Sequence, residues 1–126
     1  MTNSSNSILA DTNTATVYSA AMVVTVSGDE GDRTVTCPDT TVGKGLKKVK
    51  LDWEIVNNTT DGTEWDVLGV HGLFHPEFHN KSRIGSGYKC IDRNKFERDV
   101  KYTVIVGCTT TAEVAVLDPT IKNGGN

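Results

Sequence analysis

The run Lys47-Lys48-Val49-Lys50-Leu51-Asp52-Trp53-Glu54-Ile55-Val56 constrains this chain more than any other segment. Val49, Leu51, Trp53 and Ile55 alternate with Lys48, Lys50, Asp52 and Glu54. Side chains on a strand point to opposite faces in turn, so the segment presents one apolar face and one charged face. It reads as a strand of an antiparallel sheet, buried on one side and wet on the other. The same alternation returns at Val100, Tyr102, Val104 and Val106. Together the two segments point to a small all-β domain.

At 126 residues the chain forms one domain with room for its own core. The formal charge is only -3, and the basic residues are dispersed. Lys44, Lys47, Lys48 and Lys50 form the densest group. With Lys48 and Lys50 on one side of a strand, they read as a solvated sheet face rather than a phosphate-binding patch. A basic, aromatic-interleaved footprint is missing, so no nucleic-acid partner is expected. No apolar run has the length of a membrane span, which argues against a membrane partner. Met1 to Ser7 is polar and uncharged, unlike a secretory signal, so a cytoplasmic location is expected. The glycosylation triplets at Asn57, Asn58 and Asn80 then mark only polar loops.

Cys37, Cys90 and Cys108 are odd in number and widely spaced, which is no disulfide framework. Without a C-x-x-C pair a zinc ribbon is excluded. The three are expected to be free thiols that act as small apolar residues in a reducing compartment.

Along the chain, residues 1–14 are rich in Ser, Thr and Asn and are expected to be a flexible tail. Residues 15–119 form the sandwich domain, and 120–126 form a C-terminal tail. Within the domain, 22–26 and 33–37 read as a hairpin, 38–45 as a loop, and 47–56 as the central strand. Further strands are expected at 65–74, 88–91, 100–106 and 113–117. Residues 75–87, with Pro76 and Gly85-Ser86-Gly87, read as the longest irregular stretch. The segment 92–99 reads as a charged connector with up to one helical turn. Asp118-Pro119 ends the last strand, since proline has no ladder donor. About seven short strands with regular turn signals favour a sandwich.

Asp99-Val100-Lys101-Tyr102-Thr103-Val104-Ile105-Val106 resembles the penultimate strand of immunoglobulin-like and fibronectin-III-like domains. In those families a tyrosine two residues before a core residue forms the tyrosine corner, which Tyr102 would match. Trp53 is similar to their buried core tryptophan. The resemblance spans roughly 15–118 and implies an antiparallel immunoglobulin-like β-sandwich. Val104 stands where antigen-receptor domains carry cysteine, so their inter-sheet disulfide is not implied. A jelly roll or another sandwich is the second architecture.

Several residue groups invite chemical readings. His71, His75 and His79 are all the histidines of the chain, and three histidines plus water make a catalytic zinc site. Pro76 opposes a shared helical face. On a strand the successive histidines would stand about 13 Å apart, too far for one metal. The metal reading therefore needs a curled loop; otherwise they are half-exposed loop residues. Ser86 between Gly85 and Gly87 fits a flexible turn better than a nucleophile elbow. Gly43-Lys44-Gly45 is too short for a phosphate loop. Cys90 with a histidine would make a thiol dyad only on paper. Asp29, Glu30 and Asp32 lack the spacing of a calcium loop and read as a hairpin tip.

Trp65, Phe74, Phe78 and Tyr88 flank the irregular segment. Aromatic side chains on loops serve as binding anchors, or they plug the end of a sandwich. The chain is thus expected to be a soluble, non-catalytic interaction module without a cofactor. Its partner would be another protein or a second copy of itself, with Trp65, Phe74, Phe78 and Tyr88 as binding surface. The alternatives are a carbohydrate-binding sandwich that stacks sugars on exposed aromatics, and a small metal-dependent enzyme on His71, His75 and His79.

Overall fold

The computed structural model describes residues 18–126 and the backbone of Ser5–Ile8. The expected sandwich domain is described from Tyr18, and the expected N-terminal tail, apart from the backbone of Ser5–Ile8, lies outside the described residues. The architecture is all-β. The strands are β1 (Ser5–Ile8), β2 (Tyr18–Gly28), β3 (Thr34–Thr36), β4 (Asp39–Val42), β5 (Val49–Thr59) and β6 (Trp65–His71). They continue as β7 (Phe78–Ile84), β8 (Gly87–Asp92), β9 (Glu97–Lys101), β10 (Thr103–Cys108), β11 (Val114–Leu117) and β12 (Thr120–Gly124). Eleven of them lie between Tyr18 and Gly124, more than the seven expected, because several expected strands are split and loops carry short strands of their own.

A five-stranded sheet runs β3-β2-β5-β8-β7, a three-stranded sheet β11-β10-β6 and a four-stranded sheet β1-β4-β12-β9, and all three contribute to one core. The central strand β5 has Val49, Leu51 and Trp53 buried and Lys50 and Glu54 exposed, as its alternation dictates. Its neighbours differ from the all-antiparallel expectation. It pairs antiparallel with β8 but parallel with β2, in unbroken register from Tyr18↔Val49 to Gly28↔Thr59. The alternation specifies which face is buried, not which strand lies alongside. The β2–β3 hairpin forms as expected, with Val26 opposite Val35.

The expected strand 100–106 breaks at Tyr102, between β9 and β10. Its partner breaks at Asp118-Pro119, between β11 and β12. The register is the same on both sides: Val104 lies opposite Leu117, and Lys101 opposite Thr120. One long ribbon therefore bends from the three-stranded sheet into the four-stranded one. Pro119 cannot donate at the bend, but its carbonyl still accepts the Tyr102 N–H at 3.1 Å. Residues 120–126, expected as a tail, contain β12, with Ile121 and Asn123 buried and β4 and β9 on its two sides. Residues 75–87, expected as irregular, contain β7, which closes a hairpin with β8 through Gly85 and Ser86. No helix forms at 92–99.

Met22, Val24, Val26, Val49, Leu51 and Trp53 from one sheet pack against Val67, Val104, Val106, Tyr102 and Ile121 from the others. Thr40 on β4 crosses the interior to Met22, its hydroxyl 2.9 Å from the sulfur. Trp53 stands between Tyr88 and Tyr102, meeting both rings edge-on. At the far end Arg33 pairs with Asp61 at 2.7 Å and Glu113 at 3.0 Å and lies over the Trp65 ring. Its guanidinium holds both carboxyls below the usual range. The acidic first turn is thus partly tied to this ion cluster, through the Asp29 carboxylate and the Thr60 hydroxyl and through the Glu30 N–H and Asp61.

Candidate functional site

The connection from β6 to β7 begins at Gly72, with φ at 99°. A Cβ there would lie 3.3 Å from the Tyr102 Cα, so glycine suits both the left-handed turn and the close approach. Leu73 then turns into the core, and its carbonyl accepts from the Lys81 ammonium at 2.7 Å. Two residues on, the His75 carbonyl accepts the Phe78 N–H at 3.0 Å, and its Nδ1 accepts the Glu77 N–H at 3.2 Å. Glu77 and Phe78 are buried again. The loop is therefore fixed on both sides of Phe74, whose ring is 84% exposed.

Phe96, between β8 and β9, is 49% exposed and meets the His75 ring edge-on at 5.3 Å. The Arg98 guanidinium lies over the same ring, 5.6 Å from its centre. Arg98 Nε is also 3.6 Å from Glu77 Oε2, and His75 Nδ1 is 3.3 Å from the same oxygen. His75, Phe96 and Arg98 thus form an aromatic and cationic ridge anchored on a buried carboxylate, with the exposed Phe74 next to His75 in the chain.

Beneath the ridge lies a buried polar centre. The Asn123 amide donates to Glu77 Oε1 and to Asp92 Oδ1, each at 3.0 Å. Glu77 Oε2, Asp92 Oδ2 and Asn123 Oδ1 are buried without a hydrogen-bond partner among the described residues. Burial pushes the Asp92 carboxyl up to about 6 against the hydrogen bonds from Asn94 and Asn123, and the nearby Glu77 charge adds to the shift.

The four aromatic residues expected as a binding surface separate here. Trp65 and Phe78 are core residues at 4% and 3% exposure, so neither offers a free ring face. Tyr88 is half-buried against Trp53. Phe74 alone of the four stands in solvent. The histidines separate too. His71 is exposed at the end of β6 with its ring over Gly69, His75 packs on Phe96, and His79 lines a cleft with Lys47, Lys48, Arg93 and Lys95. Among the described residues no group of three or more His, Cys, Asp or Glu side chains is placed to hold a metal ion. Ser86 sits in the β7–β8 turn, where its carbonyl accepts the Val67 N–H at 2.7 Å.

A second apolar surface, which the sequence reading missed, lies on the outer face of the three-stranded sheet. Val114 and Val116 on β11 are each 60% exposed, opposite Gly107 and Ile105 on β10. Leu68 lies over Gly107, where any Cβ would collide with its methyl group. The alternation in Val114-Ala115-Val116-Leu117 carries no polar face, which is the signal that marked this surface.

The chain matches no protein-family model and no curated protein sequence.

Proposed function

We propose that this protein is a non-catalytic interaction module that binds a protein partner through the ridge of Phe74, His75, Phe96 and Arg98. The observation that carries the reading is Phe74, 84% exposed on a loop held by buried Leu73 before it and by buried, hydrogen-bonded Glu77 and Phe78 after it. An apolar ring held in water by a fixed loop loses little entropy when a partner covers it. Aromatic and arginine side chains grouped in this way are the residue types that dominate interface energetics. The immunoglobulin-like assignment is part of the proposal. It is supported by the buried Trp53 and by Tyr102 at the bend of the ribbon. Three free cysteines suit a reducing compartment, in line with a cytoplasmic site of action.

A peptide library selected on the purified protein tests the reading. Selected peptides should lose affinity by about 30-fold on Phe74→Ala/Phe96→Ala, the scale of an interface hot spot. Unchanged affinity on that variant would overturn it. A glycan array run alongside decides for the carbohydrate alternative if a sugar binds and Phe74→Ala abolishes the binding.

Self-association is the second reading, favoured by the exposure of Val114 and Val116. Sedimentation velocity across a concentration series would then show a dimer that Val116→Lys removes and Phe74→Ala leaves intact.

A further inference from the structure

Lys47, Lys48, His79, Arg93, Lys95 and Asn126 line a cleft of about 470 Å³ at one end of the five-stranded sheet. Its Lys and Arg side chains come from two separate parts of the chain, the segment entering β5 and the turn after β8, and His79 at the start of β7 completes the lining. All four Lys and Arg side chains are exposed, and among the described residues none of them makes an ion pair.

Like charges repel, so such a group persists only where the backbone holds it. Asn94, fully buried and at φ 53°, does so here. Its amide donates to the carbonyls of Gly43 at 3.0 Å and Leu46 at 2.9 Å, just before Lys47. Its side-chain oxygen accepts the Gly125 N–H at 2.9 Å, just before Asn126. Its own N–H donates to Asp92 Oδ1 at 2.8 Å. One buried side chain therefore ties Arg93 and Lys95 to Lys47, Lys48 and Asn126.

We infer that this cleft binds a small soluble anion carrying two or more phosphate groups. Its volume exceeds what one phosphate fills and lies in the range of small-molecule sites. Charge rather than stacking recognises the ligand, since no Phe, Tyr or Trp lines the cleft. A long polyanion fits the molecule poorly. Four of the 13 Lys and Arg residues line the cleft, which leaves nine against 16 Asp and Glu elsewhere in the chain. Nucleic acid or an anionic membrane meets net negative charge beyond the cleft.

The test is titration of the full chain with inorganic tripolyphosphate, followed by amide chemical shifts in about 50 mM salt, where screening is modest. Saturable shifts are expected at Lys47, Lys48, Arg93 and Lys95, with orthophosphate at least tenfold weaker. Arg93→Gln/Lys95→Gln should weaken tripolyphosphate at least tenfold, while Lys101→Gln, at the other end of β9, changes it less than twofold. Both are surface changes, and an unaltered thermal midpoint verifies the fold. Three results would overturn the inference: no saturation in the millimolar range, equal loss from Lys101→Gln, or binding of a single-stranded RNA tighter than tripolyphosphate. A fourth arm uses phosphatidylcholine vesicles bearing phosphorylated inositol headgroups. Vesicle binding without binding of free tripolyphosphate also overturns it.

Discussion

The indole N–H of Trp53 donates to the phenol oxygen of Tyr102 at 3.0 Å, and the two rings meet edge-on with centroids 5.6 Å apart. The bond joins the central strand of one sheet to the point where the β9–β10 chain passes between the other two. Tyr102→Phe keeps the ring but leaves the buried indole donor unpaired, which should cost about 1–3 kcal/mol in urea unfolding. Trp53→Ala should cost about 3–5 kcal/mol, as expected for loss of a large core ring. A Tyr102→Phe variant as stable as the parent would show that ring packing alone holds the bend.

Asn94 should be the most sensitive polar residue in the fold. Glycine retains its left-handed backbone but none of its side-chain bonds, taking the Asn94 partner from the Leu46 carbonyl and the Gly125 N–H, while the Gly43 carbonyl keeps only the Leu46 N–H at 3.4 Å. Asn94→Gly is expected to lower stability by about 2–4 kcal/mol, the sum of a few buried hydrogen bonds. A loss below that of an ordinary surface substitution would mean that the two basic segments hold together without it.

Asp92 sets a specific pH dependence. Its carboxyl titrates at about 6 in the fold, against 3.8 ordinarily, so the folded chain holds that proton more tightly than the unfolded one. Its contribution to stability is complete below pH 3.8 and is lost as pH rises through 6, by about 3 kcal/mol in all. Asp92→Asn removes that loss. The stability of the variant relative to the parent should therefore rise between pH 4 and pH 7 in denaturant titrations. A difference that stays constant with pH would show that Asp92 ionises normally.

The cysteines should differ in reactivity. Burial pushes the Cys37 and Cys90 thiols up to about 12. Burial also acts on Cys108, but hydrogen bonds from Thr110 and Thr111 outweigh it and bring that thiol down to about 7. Alkylation near pH 7.5 should label Cys108 first, because the thiolate is the nucleophile. In denaturant without reductant all three should react. Finding a single thiol there, or Cys90 labelled ahead of Cys108, would contradict the structure.

What could be read from the sequence follows from burial. Strand β5 declares itself because one face of its first half, at Val49, Leu51 and Trp53, is buried. Strand β7 does not, since from Asn80 to Ile84 every side chain is exposed and no alternation is required. Strand β12 is hidden because a core position is filled by Asn123, whose amide serves Glu77 and Asp92 rather than an apolar contact. The surface obeyed the same limits. Phe74 and Phe78 look alike four residues apart, and only the turn at Pro76 sends one outward and the other in. Lys47 and Lys48 are visible as a pair. Their meeting with Arg93 and Lys95 follows from the pairing of Val49 with Asp92 and from the long-range hydrogen bonds of Asn94, neither of which a local pattern encodes.

The most direct test of the interaction surface is amide chemical-shift mapping of the labelled protein with a peptide selected on it. The largest shifts should fall on Phe74, His75, Phe96 and Arg98, with β11 undisturbed. Shifts centred on Val114–Leu117, or on the opposite end around Asp29–Asp32 and Asp61, would contradict the assignment of Phe74 as the anchor.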